Sequence, residues 1–184
     1  MRLDPLAASQ WDDDAVQQAL AQLLPAERRN ARDAGNALAM LVHHPKLARA
    51  FLRFNVHLLY RSPLPARLRE LAVLRVAHRR GCDYEWAHHV TMGKDAGLTD
   101  DDIADLQHGA AQDELDQAVL DATDELDATS RLSAATEAVL AKHLDERQLM
   151  DLVFTVGCYC TLAMAFNTFG VELDGTPEQH QQER

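Results

Sequence analysis

Glu70, Cys82, Glu85 and His89 can between them move protons or attack an electrophile, and they stand as Glu70-x11-Cys82-x2-Glu85-x3-His89. At about 100° per helical residue, Cys82, Glu85 and His89 fall within an arc of roughly 60° on one face. Trp86, four residues after Cys82, gives that stripe an apolar wall. On the segment before, Glu70 shares a face with Leu74 and Ala77, so its carboxyl group projects from an apolar surface. A thiol, two carboxyl groups and an imidazole can therefore converge where two helices meet.

Each residue has a chemical reading and a plain one. His89 is a general acid or base, or simply a histidine hydrogen-bonded to Glu85 one turn earlier. Glu85 exchanges protons itself or fixes the imidazole tautomer. Glu70 carries a proton, its pKa raised by burial, or pairs with Arg67, Arg69 or Arg75. Cys82 lies near the amino end of a helix, where the dipole and a nearby imidazolium favour thiolate. A lone helical cysteine is also an ordinary small core residue. Tyr84 and His88 point away from the stripe by helical geometry. Cys158 and Cys160 lie about 200° apart on their helix and cannot pair with each other. Tyr159 and Asn167 are candidates to line a pocket from the last helix.

The elements that must position this stripe read as helices. Ser9 is placed to cap a helix near 12–24 that Pro25 ends. Pro45 suits the first turn of a helix carrying Leu47, Phe51, Phe54 and Leu58. Ser62-Pro63-Leu64-Pro65 is a rigid linker, and Pro65 opens the Glu70 helix. Gly81 breaks that helix from the Cys82–His89 helix, which Gly97 closes with a left-handed cap. Thr99 and Ser133 are N-caps, and Asp145 with Gln148 opens the last and most apolar helix. The helix near 112–130 reads as a surface helix. No alternation of strand length with hairpin punctuation appears. The expectation is an all-α protein of about eight to ten helices, one domain over 1–173 with a flexible tail over 174–184.

The central motif resembles that of the carboxymuconolactone decarboxylase and alkylhydroperoxidase D-like superfamily, from about His44-Pro45 to Asn167-Thr-Phe-Gly170. His-His-Pro-x-Leu, Leu-Pro-x-Arg-x-Arg-Glu-Leu and Leu-Arg-Val-Ala match its punctuation. The resemblance implies an alkylhydroperoxidase D-like helical domain that assembles as a homo-oligomer, trimer or hexamer. The peroxidase branch carries a Cys-x-x-Cys pair, a Glu on the earlier helix and a His four residues after the second Cys. Here Glu70, Cys82 and His89 match, but Glu85 stands where the second cysteine would be. No local thiol is left to resolve a sulfenic acid. Glu85-x3-His89 instead resembles the decarboxylase branch, which works without a redox thiol.

Composition narrows the partners. A net charge of −11 argues against nucleic acid or an anionic membrane surface. The 184 residues, 47% apolar and 5% aromatic, suffice for a core without a disulfide or metal. Three cysteines, an odd number, suit a reducing cytoplasm, and no export signal is visible at the amino terminus. Leu152–Val171 carries no charge and is long enough to span a membrane. Its bracketing acids and interrupting polar residues favour a buried or subunit-contact helix. Glu85 and His89 form at most a two-ligand metal pair, so no metal is expected.

Three functions follow. The first is a cofactor-free enzyme using His89, Glu85 and Glu70 in acid/base chemistry on a small organic acid or lactone. Trp86 would line its substrate site and Arg75 would neutralise a substrate carboxylate. The second is a thiol peroxidase using Cys82 with an external resolving thiol. The third is a non-enzymatic helical oligomer that keeps the motif as packing.

Overall fold

The computed structural model describes residues 2–3 and 6–175. Among them are nine α-helices and no strand: α1 Asp14–Leu20, α2 Gly35–Leu41, α3 Pro45–Tyr60, α4 Ala66–Arg79, α5 Asp83–Asp95, α6 Asp100–Gln107, α7 Glu114–Thr129, α8 Ala134–Leu140 and α9 Glu146–Phe169. The all-α expectation and its helix number hold. The described residues group into two compact units. One takes the chain up to Val56 with the residues from Thr168 on, the other His57–Asn167.

The first unit has its own core of Trp11, Val16, Ala19, Leu20, Leu38, Val42, Ala48 and Leu52. Ser9 does not cap α1. It lies in a short 3₁₀ turn, Ala8–Gln10, and Asp13 occupies the N-cap position. Asp174 accepts a hydrogen bond from the Asn36 amide at 2.7 Å. The remainder of the expected tail, from residue 176, lies outside the described residues.

In the second unit α4 is the central element and packs against α5, α6 and α7. Every residue from Leu71 to Ala77 on it is buried. A helix buried all round takes most of its stability from packing, each fully buried Leu or Val contributing about 1.5–3 kcal/mol. Arginines on α4 meet acids on α7 at a nearly constant sequence offset. Arg67 binds Asp116 at 2.6 Å, Arg75 binds Asp124 at 2.7 Å, and Arg79 binds Asp127 at 3.1 Å. Arg80 also binds Asp127, which accepts a hydrogen bond from the Cys160 thiol at 3.4 Å. α7 is therefore no surface helix: Asp116, Val119, Leu120, Ala122 and Thr123 are buried on it.

Caps set the ends as the sequence indicates. Thr99 Oγ1 accepts from the Asp102 amide, and Asp102 accepts from the Thr99 amide at 2.8 Å. Ser133 accepts from the Thr136 amide, and Asp145 and Gln148 exchange two hydrogen bonds of 2.9 Å. Each such cap contributes about 1 kcal/mol. Gly81, at φ +56°, makes the left-handed turn that separates α4 from α5.

Candidate active site

The site is built where α5 crosses α4. Gly93 permits the approach: a Cβ there would meet Leu98 Cδ1 at 3.0 Å, Leu74 Cδ1 at 3.2 Å and Glu70 Cβ at 3.8 Å. One turn earlier on α5, His89 is thereby brought against Glu70. His89 Nδ1 lies 2.6 Å from Glu70 Oε2, and His89 Nε2 lies 3.2 Å from Glu85 Oε2. The other oxygen of Glu70 accepts from Arg69 Nε at 2.9 Å. Glu70, Glu85 and His89 are all buried. Tyr159, from α9, presents its ring edge-to-face to the imidazole, centroids 4.9 Å apart and planes at 88°. The imidazole is thus held by two carboxyl groups and one aromatic ring.

Burial alone would drive the proton off His89. The hydrogen bonds His89 donates to Glu70 and Glu85, with the attraction of both carboxylates, outweigh it and raise the pKa to about 9. At neutral pH the residue is an imidazolium with both N–H groups donating to carboxylates. The two contacts are unequal. The Nδ1 contact is short and its carboxylate is anchored by Arg69; the Nε2 contact is longer and weaker. Nε2 is therefore the nitrogen that can release a partner and give up a proton.

Cys82 occupies the N-cap position of α5 and is buried. Its expected thiolate character is not found. Burial pushes the thiol pKa up against the pull of the Glu85 amide, and the acids Glu85 and Asp83 add to the rise, with the Tyr84 amide opposing least. Cys82 and Trp86 line a cavity of about 300 Å³ together with Ala77, His78, Gly81, Asp83 and Gln107. The indole and the His78 ring lie 5.8 Å apart within that wall. The cavity thus lies beside the first turn of α5, the turn that also carries Glu85.

Arg75, expected to bind a substrate carboxylate, is buried and its guanidinium donates to Asp124 through Nε and Nη2, at 2.8 and 2.7 Å, and to the Leu106 and Gln107 carbonyls through Nη1, at 2.9 and 2.8 Å. It ties the end of α6 to α4 and α7. Tyr84, expected to point away from the stripe, is buried against Phe166 at 5.3 Å and His88 at 4.4 Å. Cys158 and Cys160 are buried and form no disulfide. Asn167 donates to the Arg80 carbonyl at 2.8 Å. No group of three or more His, Cys, Asp or Glu side chains among the described residues is arranged to hold a metal ion.

Of the three arginines expected beside Glu70, Arg69 is the one that binds it. Gly93 escapes a reading of the motif alone, although it leaves a signal, since it continues the stripe of Cys82, Trp86 and His89 in steps of four, three and four residues. A glycine within a helical stripe marks close backbone approach.

Residues 45–128 match the model of the carboxymuconolactone decarboxylase family. The whole chain is similar in fold to the crystal structure of an alkylhydroperoxidase AhpD core, an uncharacterized peroxidase-related protein from Ralstonia eutropha JMP134. The TM-score is 0.75 at 20% identity, over 94% of this chain and 92% of that one. It is also similar to the debrominase Bmp8 in its apo form, with a TM-score of 0.67 at 17% identity over 97% and 95% of the two chains. No curated protein matches the chain significantly. The segment that matches the family model spans α4 and α5, which carry Glu70, Cys82, Glu85 and His89.

Proposed function

We propose that the protein is a cofactor-free acid/base enzyme acting on a small organic acid or lactone, with His89 as the proton donor. The observation that carries this reading is the buried His89 imidazole held between the Glu70 and Glu85 carboxyl groups. In a decarboxylation the bond from carbon to the departing carboxylate breaks, and its electron pair moves into an adjacent carbonyl as an enolate. The enolate carbon then takes one proton. His89 Nε2–H supplies that proton as Glu85 lets go, and the imidazole regains one from solvent through Glu85. Glu70, fixed by Arg69, keeps the ring in place and stabilises its charge throughout. In lactone hydrolysis water adds to the acyl carbon as it loses a proton to Glu85, the bond from that carbon to the ring oxygen breaks, and the His89 proton goes to that oxygen. The cavity beside Cys82 and Trp86 is the substrate site in this reading.

The lining position of Cys82 favours one other reading, a thiol peroxidase. Its thiolate would attack a peroxide oxygen, the O–O bond would break to release an alcohol or water, and an external thiol would reduce the resulting sulfenic acid. The raised thiol pKa and the absence of a Cys-x-x-Cys pair count against it.

The test is turnover of a panel of β-keto acids and lactones by the wild type, His89→Gln and Cys82→Ser, beside peroxide reduction with dithiothreitol. The proposal expects one carbon acid or lactone to be consumed, with a loss of about 100-fold or more in His89→Gln and little loss in Cys82→Ser. Peroxide reduction that needs Cys82, with no turnover of the panel, would replace it with the thiol reading.

A further inference from the structure

We infer that the cavity beside Cys82 admits an uncharged cyclic ester, a lactone bearing no carboxylate, and that Asp83 turns carboxylates away from it. This narrows the acid/base reading given above and rests on it. Among the described residues that line the cavity, Asp83 is the one acid, and none is lysine or arginine. Asp83 is exposed and, unlike Asp116, Asp124 and Asp127, forms no ion pair among the described residues. The arginines of α4 and its end are already engaged. Arg75 is held by Asp124, Arg79 and Arg80 by Asp127, and Arg69 by Glu70. Swinging one of them toward the cavity would strand its carboxylate partner. At the imidazole itself, His89 and Arg69 answer the charges of Glu70 and Glu85. Asp83 therefore leaves the site with an excess of negative charge. Two like charges a few ångströms apart, partly screened by solvent, oppose each other enough to weaken binding roughly tenfold.

The rest of the lining suits a neutral ring. Trp86 and His78 offer two ring surfaces, tilted by 55° with centroids 5.8 Å apart. Burial and the nearby acids keep Cys82 a thiol, so that wall is uncharged at neutral pH. The Gln107 amide reaches only the Ile103 carbonyl, at 3.4 Å, a long hydrogen bond that leaves it able to turn to a lactone carbonyl. Hydrolysis then changes the charge of what is bound. Water and lactone combine into one hydroxy acid: the bond from the acyl carbon to the ring oxygen breaks, Glu85 takes a proton from the water, and His89 gives one to the ring oxygen. The new carboxylic acid loses its proton to solvent and becomes an anion beside Asp83. The charge that favours an uncharged substrate thus favours departure of the product. A first-turn acid such as Asp83 also complements the helix dipole, a role that predicts no preference between substrates.

The test compares one lactone with and without a charge, 5-oxotetrahydrofuran-2-carboxylate and its carboxamide, on the full chain. The indole N–H signal of Trp86 in NMR spectra, assigned with Trp86→Phe, gives each Kd whether or not turnover occurs. Circular dichroism is the folding control. The carboxamide should bind about tenfold or more tighter than the carboxylate. The ratio should shrink in Asp83→Asn and in about 1 M sodium chloride, which screens an exposed charge. Equal or tighter binding of the carboxylate overturns the inference. So does a ratio indifferent to Asp83→Asn, or an indole signal that neither compound moves. Turnover is followed in parallel with His89→Gln. Consumption of carboxylate-bearing substrates alone, dependent on His89, overturns the inference and leaves the acid/base reading standing. The expected binding order with no lactone or keto acid consumed supports the preference for an uncharged ring and sinks the acid/base reading.

Discussion

Nδ1 of His89 lies 2.6 Å from Oε2 of Glu70, a residue nineteen positions earlier on a different helix, and the contact is buried from both sides. Because Arg69 holds the second oxygen of Glu70, the carboxylate has a fixed orientation before any substrate arrives. The pairing makes the imidazolium the resting form of His89. Titration of isotope-labelled imidazole by NMR should place the His89 midpoint near 9 in the wild type. In Glu70→Gln, which removes the nearer carboxylate, the midpoint should fall. A midpoint unchanged in that variant would remove Glu70 from the relay.

The same pairing makes stability depend on pH with a definite sign. The folded chain binds the His89 proton more tightly than the unfolded chain, for which the ordinary value is 6.5. The contribution is therefore complete below about 6.5 and is lost as pH rises through about 9, because across that window the folded state holds more bound protons than the unfolded one. Urea denaturation across this window should show wild-type stability falling with pH. His89→Gln should lack that component of the fall.

Gly93→Val should destabilise the protein and disturb the site together. The added carbons meet Leu98 and Leu74 in a packed core, where overpacking costs about 1–3 kcal/mol. Since Gly93 sets the approach of α5 to α4, the His89 midpoint should move down in the same variant. A stability loss with an unmoved midpoint would show that α5 holds its position without Gly93.

Arg75→Gln separates architecture from binding. The change removes the nearer partner of Asp124, leaving it the Arg79 contact at 3.4 Å, and strands two α6 carbonyls. Partial exposure of Asp124 softens the cost to about 2–3 kcal/mol, below that of a fully buried pair. Denaturant midpoints should fall accordingly. At temperatures where the variant remains folded, KM for a substrate of the wild type should be unchanged. A selective rise in KM would restore the substrate-binding role.

Alkylation of Cys82 by iodoacetamide should be slower at neutral pH than that of free cysteine, and should rise steeply only in alkaline solution. Burial raises its pKa and restricts access. Intact mass after timed quenching measures this. Reaction faster than free cysteine would favour the thiol peroxidase.

The stripe of Cys82, Glu85 and His89 was legible in the sequence because all three lie within two turns of one helix, where spacing alone determines direction. Helix boundaries followed from Pro45, Gly81, Thr99, Ser133 and Asp145 for the same local reason. What could not be read depends on distant partners. Arg75 resembles a free cation until Asp124, on another helix, claims it. The helix dipole argument for a Cys82 thiolate was sound locally, and desolvation reversed it. Tyr159 faces His89 only because α9 passes the site, a tertiary fact with no trace in the motif. Asp116 and Asp124 made α7 look like a solvated face, whereas they are its attachments to α4.

The paired offsets between α4 and α7 also bear on how the gene for such a chain can change in length. Arg67 reaches Asp116 and Arg75 reaches Asp124 at the same separation of 49 residues. One residue inserted within α7 between these acids would turn every later side chain by about 100° and shift it by about 1.5 Å. The Asp124 and Asp127 contacts would then fail together. One residue inserted among 108–112, ahead of α7, leaves the spacing within each helix untouched and asks only the connection to adjust. Natural variation in length should accordingly collect in that connection and be purged from α7.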